Sequence, residues 1–194
     1  MTEKVVFLDI DGVLQPFTQH RFDHIYNGDM EKVFYELQQK YDVDYRQYDI
    51  YDVAAVYYDW NPDAVSELRR ILDTTNAKIV LSSSWRDDAS NRMRDFFRIY
   101  DLDRYFVGST IDITYERNIS HYLAALNLGD NTKYETRSIE ILYYLYEHPE
   151  IKGYVAIDDM RLYGLEERSV QTAYRLTSEL ADKCIDILEG TTSR

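Results

Sequence analysis

The chain has 194 residues, with 22 Lys+Arg against 35 Asp+Glu and a formal net charge of −13. That length suits a single domain spanning 1–194 with a core of its own, and a hydrophobic fraction of 45% excludes wholesale disorder. The charge disfavours a polyanionic partner, because neutralising a phosphate backbone takes clustered Lys/Arg, and the longest basic run is the pair Arg69-Arg70.

Lys4-Val5-Val6-Phe7-Leu8-Asp9 is a short apolar run ending in a carboxylate, which reads as a fully buried strand with Gly12 in the turn after it. Residues 15–60 follow, rich in Asp and Tyr, with a helical piece near Asp29–Lys40. Pro62 to Leu72 sets Val65, Leu68, Ile71 and Leu72 on one helical face, with Asn61 as N-cap. Lys78-Ile79-Val80-Leu81 is a second buried run and ends in Ser82-Ser83-Ser84. Ala89 to Tyr100 reads as a charged helix with Met93, Phe96 and Phe97 inward, and Tyr105–Gly108 as a short strand. Residues 109–135 are polar and weakly patterned. Thr136 to His148 is a helix stopped by Pro149, and Gly153–Ile157 is a third buried run ending in Asp158-Asp159. Thr177 caps a last helix to Leu188, and Gly190 follows it. Apolar strands alternating with helices imply an α/β fold around a parallel sheet covered on both faces. Insertions after the carboxyl ends of strands lie where such sheets bind ligands.

Three of these strands end in side chains suited to one chemistry. Asp9 and Asp11 stand two apart across a strand end, the serines offer hydroxyls and N–H groups to an anion, and Asp158 and Asp159 add two carboxylates. If the strands are adjacent, four acids converge, and they cannot all stay ionised cheaply without a cation. A hard divalent ion such as Mg²⁺, held by oxygen ligands, resolves the repulsion.

Phe7-Leu8-Asp9-Ile10-Asp11-Gly12-Val13-Leu14 resembles motif I of the haloacid dehalogenase (HAD) superfamily, hhhhDxDGhh. Ile79–Ser83 resembles its motif II and Val155–Asp159 its motif IV. More narrowly, Ser83-Ser84-Trp85-Arg86, the segment Arg137–Ile141 and the tail from Val170 to Thr177 are similar to the small HAD domains grouped with "Swiss Army Knife" RNA repair proteins. The resemblance implies a three-layer, Rossmann-like HAD core with a mostly parallel sheet, and 15–60 as a small cap insertion after the first strand. It also implies phosphoryl transfer through an aspartyl-phosphate. Asp9 is then the nucleophile, and Asp11 protonates the leaving oxygen and later activates water. Mg²⁺ is held by the Asp9 carboxylate, the Asp11 carbonyl and Asp158, with Asp159 acting through water. Ser82 or Ser83 binds the phosphoryl group, the triple serine leaving the register open. Arg137 supplies the motif III cation, with Lys133 as rival; Lys152 lies too near the third strand.

The function expected is a Mg²⁺-dependent phosphohydrolase for a small phosphate monoester or nucleotide. The alternatives are a nucleic-acid end-processing phosphatase, a phosphotransferase, and a non-catalytic phosphate-binding domain. Trp85 and Arg86 read as packing and an ion pair, and the tyrosine clusters as half-buried packing. His20 and His24 are spaced i, i+4 but lack a third ligand, so zinc is not expected. Cys184, the single cysteine, reads as an inert core residue and excludes an internal disulfide. No apolar stretch reaches about 18 residues, and the N-terminus lacks the features of a signal peptide. A cytoplasmic, reducing location is therefore expected.

Overall fold

The first apolar run sends alternate side chains to two covered faces. Val6 and Leu8 enter one buried cluster, Val5 and Phe7 another, so the run is apolar throughout. The computed structural model describes residues 3–18, 20–87, 91–129 and 134–191. In chain order its elements are β1 (Glu3–Leu8), α1 (His20–Tyr26), α2 (Met30–Tyr41) and α3 (Ile50–Ala54), which runs on into a π-helical turn, Ala55–Asp59. Then come α4 (Pro62–Thr75), β2 (Lys78–Leu81), α5 (Arg92–Arg98), β3 (Phe106–Ser109), α6 (Ser120–Ala125) and α7 (Thr136–Glu147). The chain continues with β4 (Ile151–Asp158), β5 (Ser169–Gln171) and α8 (Ser178–Glu189).

The strands form one sheet in the order β3-β2-β1-β4-β5. Every neighbouring pair is parallel, where a mostly parallel sheet was expected. Val6, Leu8, Ile79, Leu81, Val155 and Ile157 face one cluster, which takes in Leu68 of α4, Phe96 of α5 and Cys184 of α8. Val5, Phe7, Val80 and Ala156 face the other, closed by Ile141 of α7 with Leu142 and Leu145 beside it. Helices, sheet and helix thus make three layers. Cys184 is fully buried, and burial pushes its thiol up to about 12, which keeps it in the unreactive protonated form.

The expected caps form. The Asn61 side chain accepts the Ala64 N–H at 3.0 Å, and Thr177 accepts that of Leu180 at 3.4 Å. Gly190 closes α8 in the left-handed region at φ 70°. The helix expected from Ala89 is seen from Arg92, and positions 89 and 90 lie outside the described residues. Four elements carried no readable pattern. α1 and α3 are seven and five residues within the 15–60 segment, β5 has three residues with Val170 alone buried, and α6 is six residues within the weakly patterned stretch.

The 15–60 segment shares the main core. Val33, Phe34 and Leu37 of α2 and Val53 of α3 join the cluster on the first face of the sheet. Tyr26, Tyr35 and Tyr51 of the segment are exposed, but Tyr41, Tyr45 and Tyr48 pack their rings against the core and spend their hydroxyls on α5 and the turn after it. Tyr45 donates to the Asp95 carbonyl at 2.8 Å, Tyr48 to the Asp95 carboxylate at 2.6 Å, and Tyr41 to the Ile99 carbonyl at 2.9 Å. An apolar body with a polar tip suits a segment laid over a core but bonded at its rim.

Candidate active site

The parallel register sets the site. Leu8 of β1 pairs with Leu81 of β2 and with Ile157 of β4, so the next residues, Asp9, Ser82 and Asp158, leave the sheet in one row. The ladder continues through them: Asp9 N–H donates to the Ile157 carbonyl at 3.0 Å and Ser82 N–H to that of Leu8 at 2.8 Å. By alternation, all three point to the α7 side. Asp9, Asp158 and Asp159 each offer a carboxylate oxygen within 4.8 Å of the others. Asp9 and Asp158 are buried and Asp159 is partly exposed.

Gly12 makes room for Asp159. Its φ is +72°, and a Cβ placed there would stand 2.6 Å from the Asp159 Cβ. Only glycine serves both the left-handed turn and that approach. The turn is locked by the Thr172 hydroxyl, which donates to the Gly12 carbonyl at 2.6 Å.

The Asp11 carboxylate is held apart from the three-acid cluster. One oxygen accepts the Gln15 side-chain amide at 3.0 Å and the other the Trp85 indole N–H at 3.0 Å. Burial raises the Asp11 pKa above the ordinary carboxylate range, against the pull of the Trp85 bond and of Arg21. The pKa of Asp9 is raised by burial too, opposed by Arg137 and by the Ser83 hydroxyl bonded to it. Asp158 is pushed up to about 7 by burial and by the charge of Asp9.

Arg137, second residue of α7, reaches into this row. Its Nη1 lies 3.3 Å from an oxygen of Asp9 and 3.3 Å from one of Asp158, and it donates to the Ser82 carbonyl. Lys133 lies outside the described residues, and Lys152 bonds the Pro149 carbonyl at the far end of β4. Both open serines border the acids. Ser82 stands in their row, buried, its hydroxyl without a protein partner. Ser83 spends its hydroxyl on Asp9 and accepts the Trp85 backbone N–H at 3.4 Å.

The structure adds residues that the sequence reading had left as packing or had not singled out. Trp85 anchors Asp11 besides packing against Trp60 and Phe96, and Gln15 shares that task. The one available signal was chemical: an indole N–H taken out of water needs an acceptor. Arg86 forms the expected ion pair, with Glu140 at 2.6 Å.

The donor set fits a hard divalent cation. It is all oxygen, and its carboxylates are costly to ionise without one. A sign follows for stability. A carboxyl held above its ordinary value favours the fold fully below about pH 4 and loses that contribution as pH rises through about 7. Asp9 and Asp11 act in the same direction. With a chelator present, the melting temperature is expected to fall from about pH 5 to about pH 8, and Asp158→Asn to flatten the fall. Thermal melts across that range check this; a slope unchanged in Asp158→Asn would remove Asp158 as its source.

A parallel sheet with acids gathered at the carboxyl ends of two adjacent central strands defines an α/β protein with a Rossmann-like core and a buried acidic cluster able to hold a metal. The family model for HAD domains in Swiss Army Knife RNA repair proteins matches residues 5–181, and the chain belongs to that family. Comparison with curated proteins and with solved structures gave no match.

Proposed function

We propose that the protein is a Mg²⁺-dependent phosphohydrolase that works through an aspartyl-phosphate on a small phosphate monoester or nucleotide, in the cytoplasm. The observation that carries this reading is the pairing of two differently held acids. Asp9 lies in the row with Asp158 and beside Arg137, while Asp11, two residues on, is oriented separately by Trp85 and Gln15. Asp9, Asp158 and Asp159, with the Asp11 carbonyl, would hold Mg²⁺, which supplies positive charge for the phosphoryl oxygens.

The residues of the chain divide the work. An Asp9 oxygen attacks phosphorus, and the bond to the leaving oxygen breaks as Asp11 gives that oxygen its proton. Water then attacks the phosphoaspartate; Asp11 takes its proton, and phosphate departs with the Asp9 carboxylate restored. A carboxyl with a raised pKa is suited to hold the first proton. Arg137, with Ser82 or Ser83, would bind the phosphoryl oxygens. Phe17, Tyr115, Met160 and Tyr163 are exposed in segments that follow the carboxyl ends of β1, β3 and β4. They offer apolar surface to a ring-bearing leaving group. Among the described residues, no helix is long and apolar enough to cross a membrane, and the buried cysteine suits a reducing compartment.

A second reading, processing of nucleic-acid ends, is favoured by the family, whose description names RNA repair. The net charge of −13 weighs against it. Phosphorylated metabolites, mononucleotides, and 5′- and 3′-phosphorylated oligonucleotides, each assayed with and without Mg²⁺ over a range of salt, separate the two. Hydrolysis of small monoesters with a shallow salt slope is expected, since each phosphate contact on a polymer adds about 0.7–0.9 to the slope of log affinity against log salt. Activity confined to oligonucleotide ends and lost at moderate salt supports the second reading. No turnover of any substrate with Mg²⁺ present overturns both.

A further inference from the structure

We propose that Glu140 is a positioning residue: buried between Arg86 and Arg137, it fixes the Arg137 guanidinium so that one edge alone faces the phosphoryl site. The inference rests on the reading of Arg137 as the phosphoryl-binding cation.

Glu140 lies on α7, three residues after Arg137, and is fully buried. An ionised carboxylate so placed is costly unless it is paired and hydrogen-bonded. Its Oε1 accepts the Ile113 N–H at 3.0 Å. Its Oε2 lies between two guanidinium groups, 2.6 Å from Arg86 Nη1 and 3.8 Å from Arg137 Nε. Arg86 is fixed in turn, donating to the Thr110 hydroxyl and the Ile111 carbonyl, each at 2.7 Å. Its Nη2 lies 3.4 Å from the half-exposed Asp112.

Arg137 is therefore engaged from two ends. Its Nε side meets Glu140, and its Nη1 meets Asp9, Asp158 and the Ser82 carbonyl. An arginine facing two carboxylates with nothing behind it would turn its planar fork wholly onto them, the bidentate arrangement that guanidinium and carboxylate favour. The charge of Glu140 at Nε opposes that rotation. It leaves Nη1 at the row of Asp9, Ser82 and Asp158 and orients the fork before an anion arrives. Arg86 neutralises Glu140, and Ile113 ties the pair to the segment after β3, so the support is stiff.

A purely structural Glu140, present only to neutralise Arg86, makes a different prediction. Affinity for inorganic phosphate, measured by calorimetry on the full chain with Mg²⁺, is the readout. Glu140→Gln keeps the size and an acceptor for Ile113 while removing the charge. It is expected to weaken phosphate binding about 10-fold, within the range for coupled members of one charge network. Arg137→Ala should weaken phosphate binding by itself, and adding Glu140→Gln to it should weaken binding no further. Equal losses in both backgrounds, or a lowered melting temperature with phosphate affinity intact, would overturn the positioning role. Unchanged affinity in Arg137→Ala would instead overturn the reading of Arg137 itself, and the two failures are thereby distinct. Should Glu140→Gln not fold, Glu140→Asp keeps the charge but draws it back by one methylene; it is expected to weaken phosphate binding in the same way, and intact affinity there would overturn the proposal.

Discussion

Asp9→Asn is expected to yield a folded protein that releases no phosphate from any monoester the parent hydrolyses, a fall on the order of 10⁴-fold or more. The amide is close in shape to the carboxyl but is a poor nucleophile, so no phosphoaspartate forms. The electrostatics of the site separate this loss from unfolding. Burial raises the pKa of Asp9, and the charge of Asp9 helps push Asp158 up to about 7. A neutral group at position 9 removes that repulsion, while Arg137 keeps Asp158 at 3.3 Å and the Ser82 carbonyl as partners. In chelator near neutral pH the variant should therefore melt no lower than the parent. Phosphate release and thermal melts on the same preparation check both halves. Full activity in Asp9→Asn would exclude the covalent route; inactivity with a much lower melting temperature would mark a structural loss instead.

What the sequence shows plainly is what periodicity and chain order encode. Strands buried on both faces announce themselves as unbroken apolar runs, and β1, β2 and β4 lie where Lys4–Asp9, Lys78–Leu81 and Gly153–Ile157 place them. Asp9, Ser82 and Asp158 share a row because their strands are adjacent and parallel. Adjacency could only be supposed from sequence, and register not at all. Partnerships across the fold were hidden. Trp85 meets Asp11 across 74 positions and Arg86 meets Glu140 across 54, and no local pattern links them. Glu140 is harder still, since a glutamate in an amphipathic helix looks like part of its solvent face. The tyrosines of 15–60 misled less. Their spacing does not say whether they stack on ligand or on protein, but many bury their rings and bond to carbonyls or carboxylates of neighbouring segments. α1, α3, α6 and β5 were missed because runs of seven, five, six and three residues are too short for a period to emerge.

Asp11→Asn is expected to cost about 10²–10⁴-fold in steady-state rate, the usual contribution of a positioned acid–base group. The geometry adds a structural part to that cost. Gln15 and Trp85 each donate to a different oxygen of Asp11, and an asparagine has one acceptor oxygen for the two donors. The asparagine oxygen can keep Trp85, while Gln15 must turn its amide over so that its unpartnered Oε1 accepts from the asparagine N–H, and the anchoring rearranges as the proton is lost. Trp85→Phe tests that part alone. It leaves the acid in place, removes one anchor and removes a bond that lowers the pKa of Asp11, so the carboxyl should hold its proton to higher pH. The fall of kcat on the alkaline side should move upward, with a rate loss smaller than in Asp11→Asn. The chemical part is read with p-nitrophenyl phosphate, whose leaving group departs without a proton from the enzyme. The first step then needs no acid, while attack of water on the phosphoaspartate still needs a base. In Asp11→Asn the covalent intermediate should accumulate, seen as a burst of nitrophenol approaching one per site ahead of a slow steady state. The parent, with both steps intact, should show a smaller burst or none. A linear time course in Asp11→Asn at the parent's rate would remove Asp11 as the base of the second step and leave it only the acid role that this substrate bypasses. A slow linear course without a burst would mean that formation of the phosphoaspartate is itself impaired although it needs no acid, and would assign the loss to disturbed geometry and not to proton transfer.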